Sequence, residues 1–309
     1  MFEMKVASLN GIRVVEMPYR RTAETQMMYR TEERRELDDF RISGVYAKGA
    51  LPVEITQAHY DASLYAADGS QVFAAYGDIC GSLCRESEEA FRQGKGVVFV
   101  GGDCRHVVGV LGAIQRSFGR DKKIGFIWLD AHGDFNTPEI SPSGMLGGMP
   151  LAVSAGLCCE EWRLGAGLAE PLQCENIILA DGRNLDPLEE KAVLQSGMTW
   201  VKTKDFLDAE RWKAAVDALA DKTDVICLHI DLDILDERFV PNHNTPEPNG
   251  PDPFVTMERI RTVMETGKVS AYTVTSVYHP IRDGQDISTL NAIRLLGAGL
   301  ESWKTCPTL

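Results

Sequence analysis

Two acidic clusters, each closing a short apolar run, constrain this chain more than any other feature. The first is Asp130-Ala131-His132-Gly133-Asp134, which follows Ile124-Gly125-Phe126-Ile127-Trp128-Leu129. The second is Asp231-Leu232-Asp233-Ile234-Leu235-Asp236, which follows Val225-Ile226-Cys227-Leu228-His229-Ile230. The apolar runs read as buried strands, being short, continuous and rich in Ile, Val, Leu and aromatic residues. The carboxyl ends of such strands are where open α/β sheets bind ligands. In an extended segment, residues two apart point to the same side. Asp130, His132 and Asp134 therefore point to the same side, and so do Asp231 and Asp233. Either cluster alone is compatible with a solvated strand-to-loop turn. Together they bring four carboxylates and one imidazole toward one place, where unpaired charges are costly to desolvate. One or two divalent cations resolve that conflict.

The remaining composition suits one enzyme-sized unit. The chain has 309 residues, 25% charged and 44% hydrophobic, enough for a single large α/β domain over residues 1–309. A formal net charge of -13 argues against nucleic acid and anionic membrane as partners. The first residues, Met1-Phe2-Glu3-Met4-Lys5-Val6, lack a basic region followed by a long apolar stretch, and no apolar run reaches membrane-spanning length. The 8 cysteines are scattered. Cys80 and Cys84 are helix neighbours, Cys158 and Cys159 are adjacent, and Cys227 lies inside a strand. The pattern reads as reduced and cytoplasmic rather than as a disulfide framework.

Strand patterns at residues 6–15, 96–101, 124–130, 177–180, 199–203, 225–231 and 271–277 alternate with helical ones. The latter cover residues 84–92, 107–118, 187–195, 209–219, 256–265 and 287–303. Such alternation predicts a parallel sheet covered on both faces. The Pro- and Gly-rich stretches 138–150 and 241–253 each begin just after an acidic cluster, so they read as loops at the functional edge. The charged segment 19–41 reads as a solvated helix or a flap over the site.

A third element completes a recognisable set. Val97-Val98-Phe99-Val100 runs into Gly101-Gly102-Asp103-Cys104, where glycines let the backbone turn tightly. With both acidic clusters, this resembles the ureohydrolase family of arginase, agmatinase and formimidoylglutamase. The likeness spans residues 97–280, and the stretch from Asp130 to Leu151 is most similar to the arginase branch. The resemblance implies a three-layer arginase/deacetylase-like α/β fold with a parallel sheet of about eight strands. It also implies two Mn²⁺ ions that activate water against a guanidinium carbon. Asp130 and Asp231 would bridge the ions, Asp134 would complete the first site, and His132 and Asp233 the second. Asp134 would also take up and return the catalytic proton.

Several positions depart from the pattern. Cys104 stands where the family has a ligating His. A thiolate there biases the site toward Zn²⁺ or Fe²⁺ over Mn²⁺, while the alternative is a small packing residue and a weak first site. His106, two residues on, should point away. Gly147 replaces the arginase branch's proton-shuttling His. Val277-Tyr278-His279-Pro280 replaces a Glu-Val-x-Pro segment whose Glu holds the guanidinium. Losing that carboxylate removes a charge-assisted pair, unless Glu139 or Glu247 enters from a loop. Asn136, Ser141 and Ser143 match positions that contact a substrate α-carboxylate. Asp186 and Glu189 match the α-amino end, while Asn184 replaces an Asp and Met145 an Asn.

The resulting expectation is a metal-dependent hydrolase of a non-peptide C–N bond in a small guanidino, amidino or related nitrogenous compound, and a poor arginase. Its partners are a small-molecule substrate and, by resemblance, copies of itself in a trimer or hexamer. Two alternatives stand beside it. One is an inactive or regulatory ureohydrolase-like protein. The other is a single-metal deacetylase-like amidohydrolase using Asp130, His132 and Asp231 or Asp233.

Overall fold

A computed structural model of the chain describes residues 6–17, 35–67, 69–278, 286–303 and 305–307. Its strands are β1 (Val6–Ser8), β2 (Ile12–Met17), β3 (Val53–Gln57), β4 (Gly96–Gly101), β5 (Ile124–Asp130), β6 (Ile177–Asp181), β7 (Thr199–Val201), β8 (Val225–Asp231), β9 (Val269–Thr275) and β10 (Thr305–Pro307). Its helices are α1 (Arg35–Ile42), α2 (Val72–Arg92), α3 (Val107–Phe118), α4 (Pro150–Ser154), α5 (Glu160–Gly165), α6 (Pro187–Ser196), α7 (Thr203–Leu207), α8 (Ala209–Lys222), α9 (Pro253–Met264) and α10 (Ile287–Ser302). Eight strands form one sheet in the order β3-β2-β4-β9-β8-β5-β6-β7, and every pairing in it is parallel.

Strand alternation builds the three layers. Along β5, Ile127 and Leu129 join a core with α1, α8, α9 and α10. Phe126 and Trp128 face the other way, into a core with α2, α3, α4 and α5. Burial on both faces explains why these strands read as continuous apolar runs. The chain passes from β4 through α3 to β5, yet β9 and β8 lie between those two strands. That reversal opens a crevice at the carboxyl ends of β4, β9, β8 and β5, the place where open α/β sheets hold ligands.

Three readings need correction. Residues 6–15 are not one strand: β1 pairs antiparallel with β10, and β2 starts only after a break at Asn10 and Gly11. Gly11 approaches the Pro52 carbonyl so closely that a Cβ would lie 2.8 Å from it. The edge strand β3 carried no apolar signal because it is largely exposed. The helix expected from residue 84 begins at Val72 instead. Of the charged segment 19–41, residues 35–41 belong to α1, and 19–34 lie outside the described residues.

Helices α2 and α3 meet at bare backbone. A Cβ on Gly109 would lie 2.1 Å from the Cys80 carbonyl oxygen. Gly109→Ala should therefore destabilise the protein by about 1–3 kcal/mol through overpacking, although Ala gains about 1 kcal/mol of helix propensity. A urea denaturation midpoint at or above the wild-type value, with an unchanged slope, would refute this close approach.

Candidate metal centre

Each sheet end delivers its donors for a local reason. After β4, Gly101 and Gly102 take left-handed φ angles of 85° and 58°, a conformation favourable to glycine. The turn leads into a short 3₁₀ segment that places Cys104 over the sheet edge. After β5, Asp130 accepts the Trp128 indole N–H at 3.0 Å and the His132 backbone N–H at 2.7 Å. After β8, Asp231 accepts the Asp233 backbone N–H at 3.0 Å. Asp233 in turn accepts the Ala131 backbone N–H at 3.2 Å, tying the two acidic motifs together.

The five residues read from the two motifs converge with Cys104. The Cys104 thiol donates to Asp231 Oδ2 at 2.6 Å. His132 Nδ1 lies 3.1 Å from Asp233 Oδ2 and 3.4 Å from Asp130 Oδ1. Three overlapping groups offer ion-sized donor sets: Cys104, Asp130 and Asp134; Asp130, His132 and Asp233; and Asp231, Asp233 and His243. They line a cavity of about 220 Å³ together with Asn136, Ser141, Ser143, Asp186 and Glu189.

The electrostatics fit a cation. Burial, then the neighbouring Asp233 and Asp231, push the Asp130 carboxyl well above the usual range. Burial, then Asp130, does the same to Asp134. Asp233 is lowered, because His132 and His243 outweigh the cost of burying it. Burial and the charges of Asp231, Asp130 and Asp134 hold Cys104 well above a normal thiol, so it keeps its proton. The cavity's arginine does not relieve this excess, because Arg105 pairs with Asp103 and donates to Tyr76. His243 Nε2 and Asn136 Oδ1 are buried with no hydrogen-bond partner among the described residues. Four buried carboxylates, a thiol and an unsatisfied ring nitrogen facing one space are a donor set that a divalent ion completes.

Other expected residues take varied places. Asn136 Nδ2 donates to Asp186 Oδ2 at 3.0 Å. Glu189 has both oxygens engaged by the backbone N–H groups of Phe135 and Asp186, at 2.9 and 3.1 Å. Ser141 and Ser143 accept the Gly144 and Met145 N–H groups and shape the rim. His106 points away as expected, with Nε2 2.7 Å from the Tyr65 hydroxyl. Glu139 is exposed and accepts from Thr137. Glu247 does not line the cavity but borders it, with Oε1 2.6 Å from Asn184 Nδ2 and 3.4 Å from His132 Nε2. Val277 is fully buried and does not line the cavity; Ser276 and Tyr278 do. His279 lies outside the described residues.

Sequence reasoning missed His243, Ser276 and His229. Ser276 donates to Asp231 Oδ2 at 2.6 Å. His229 Nε2 lies 3.2 Å from Cys104 Sγ, and its Nδ1 lies 2.7 Å from the Thr273 hydroxyl. Burial pushes the His229 ring down to about 3, so it is neutral. Its place two residues before Asp231 was the available signal, since strand period two aims both side chains one way.

These features define a buried acidic donor site on a three-layer α/β scaffold, the architecture of a metallohydrolase. The chain belongs to the Arginase family, whose profile matches residues 17–299. It is 30% identical over 223 residues to the arginase of Bacillus caldovelox, covering 70% of this chain and 72% of that one. It is 34% identical over 171 residues to the arginase of Bacillus subtilis, an aligned stretch spanning 56% of that relative and 54% of this chain. In three dimensions it is similar to the crystal structure of Bacillus subtilis arginase, with TM-score 0.78, 24% identity and coverage of 94% of this chain and 98% of that one. The Entamoeba histolytica arginase solved with L-ornithine has TM-score 0.81 at 18% identity, covering 95% and 99%. No helix among the described residues is long and apolar enough to cross a membrane.

Asp134 sits at φ 46°, a conformation Asn also tolerates. Its raised folded-state ionisation has a definite sign in ion-free protein. The penalty is absent below about pH 4, the ordinary carboxylate range, and grows as pH rises through the raised value. Chelator-treated Asp134→Asn should therefore be more stable than chelated wild type at pH 8, with the gap closing toward pH 4.5. Urea denaturation at both pH values checks this, and a wild type that is the more stable at pH 8 would contradict it.

Proposed function

We propose that the chain is a metal-dependent hydrolase of a non-peptide C–N bond in a small amidino, guanidino or related nitrogenous compound. The observation that carries this reading is the sharing of Asp130 and Asp233 among three overlapping donor groups. Cys104, Asp130, Asp134 and Asp231 would hold a first ion, and Asp130, His132, Asp231 and Asp233 a second. A bound divalent ion supplies Lewis acidity that brings the ionisation of water toward neutral pH. Asp134 lines the same cavity, where it would take a proton and return it to the leaving amine. Asn136, Ser141, Ser143 and Asp186 offer hydrogen bonds to the substrate's far end. Glu189 supports that end from behind, holding the Phe135 backbone.

The reacting end is built differently. Ser276 and Tyr278 face the cavity where a carboxylate would grip a guanidinium, and Gly147 offers no proton-carrying side chain. A guanidinium bound there loses its bidentate partner, which costs several kcal/mol, on the order of 10²-fold in rate or more. Arginine should thus yield urea far below the order of 10–10³ per second typical of enzymes, with Mn²⁺ or Zn²⁺ supplied. A colorimetric urea assay checks this, beside amine or ammonia release from a panel of less basic amidines and ureas. Arginine turnover at an ordinary enzymatic rate would overturn the reading of Gly147 and Val277.

Bound metal separates the possibilities. Two ions support the two-ion hydrolase, one the deacetylase-like alternative, and none the inactive one. Cys104→Ser should lower the count by about one, because a hydroxyl is a far weaker ligand than a thiolate. Cys104→His should restore it and shift preference from Zn²⁺ toward Mn²⁺. Two ions held equally tightly by Cys104→Ser, measured by mass spectrometry, would reduce the thiol to packing.

A further inference from the structure

His243 stands on the loop after β8, with its side chain only 3% exposed. Nε2 lies 3.1 Å from Asp231 Oδ1, and Nδ1 lies 3.5 Å from Asp233 Oδ2. Neither contact has the geometry of a hydrogen bond, and Nε2 has no hydrogen-bond partner among the described residues. His132 stands in the same relation to its carboxylates: Nδ1 is 3.1 Å from Asp233 Oδ2 and 3.4 Å from Asp130 Oδ1. Donor atoms about 3 Å apart have the spacing that bonds of about 2.0–2.2 Å impose on the ligands of one ion, and Asp231, Asp233 and His243 form one such ion-sized group. We propose that His243 is a ligand of the second ion, reaching it through the ion-sized group it forms with Asp231 and Asp233, beside Asp130 and His132. This inference rests on the metal-dependent reading above.

The surroundings of the ring support the role. Nδ1 takes the Thr245 backbone N–H at 3.2 Å and lies 3.4 Å from Thr245 Oγ1. Thr245 Oγ1 donates to Asp233 Oδ2 at 3.2 Å. Coordination through Nε2 places the ring proton on Nδ1. The backbone N–H bond is given up, and Nδ1–H donates to Thr245 Oγ1, which keeps its own bond to Asp233. A ligating imidazole held by such a hydrogen-bonded partner is the usual arrangement at metal sites. Tyr278 packs edge-on against the ring at 5.0 Å between centroids and fixes its plane. The imidazole missing at Cys104 is in effect supplied across the cavity. Sulfur then serves the first ion and two ring nitrogens the second, a mixture that favours Zn²⁺ or Fe²⁺ over Mn²⁺ at both.

The test uses the full chain loaded with Zn²⁺: wild type, His243→Ala, His243→Gln and His279→Ala. Zinc affinity is read by chelator competition, and the number of imidazoles by X-ray absorption. Wild type should show two imidazoles per protein, and each His243 variant one. The variants should also lose at least about tenfold in affinity for one ion while keeping the sulfur signal of Cys104. Unchanged affinity and imidazole count in the His243 variants would overturn the ligand and leave the metal reading intact. A wild type that holds no ion would overturn both. Should the His243 variants fail to fold, His279→Ala decides: two imidazoles support His243, and one overturns it.

Discussion

The structure is organised around a repulsion. Asp130, Asp134, Asp231 and Asp233 are all at least nine-tenths buried, and each gains from its neighbours' protons or from a cation rather than from solvent. A protein tolerates such crowding only where something else determines the backbone. Here the determinant is the parallel sheet. β5 and β8 are hydrogen-bonded neighbours in register from Ile124 opposite Val225 to Leu129 opposite Ile230. Their first outgoing residues, Asp130 and Asp231, are therefore fixed side by side by main-chain bonds that no side-chain repulsion can undo cheaply.

What surrounds the carboxylates converts that repulsion into selectivity for donors. Backbone N–H groups satisfy one oxygen of Asp130, Asp231 and Asp233. The other oxygen of Asp130 takes the Trp128 indole N–H, that of Asp231 the Cys104 thiol and Ser276 hydroxyl, and that of Asp233 the Thr245 hydroxyl. The neutral His229 ring, tilted 38° to Trp128 with centroids 4.0 Å apart, meets Cys104 with Nε2 3.2 Å from Sγ. With Nδ1 accepting from the Thr273 hydroxyl, its Nε2–H is free to donate to sulfur, a bond that strengthens when the thiol becomes a thiolate.

Much of this was legible in the sequence, for reasons that also explain what was not. β5 and β8 announced themselves because strands buried on both faces must be continuously apolar, and their terminal acids then stood out. Cys104 followed from the Gly101–Gly102 turn at the end of an equally apolar β4. β3 was silent because an exposed edge strand such as Val53-Glu54-Ile55-Thr56-Gln57 has no such demand. His243 was hidden for a different reason. It belongs to an irregular loop, where side-chain direction follows from local turns rather than from a period, so its approach to Asp231 is a tertiary fact. The buried, non-lining position of Val277 has the same origin: β9 ends at Thr275, and Ser276 turns at φ 61°. Strand alternation does not carry past that turn, and Ser276 and Tyr278 face the cavity in its place.

The residues that line or border the cavity fall into two groups by strand. Cys104 follows β4, Ser276 and Tyr278 follow β9, and His243 and Glu247 sit in the loop after β8; these three strands are neighbours in the sheet. Asn136, Ser141 and Ser143 follow β5, and Asp186 and Glu189 follow β6, the next pair along. Met145, Gly147 and Asn184 also depart from the family pattern and follow β5 and β6, so the departures reach both walls of the cavity. A thiol in place of an imidazole, a hydroxyl against Asp231 Oδ2 and a ring nitrogen against Asp231 Oδ1 all act on the same carboxylate. Under the proposed assignment Asp231, like Asp130, would couple the two ion positions, so these three contacts can tune both without disturbing the sheet that holds them.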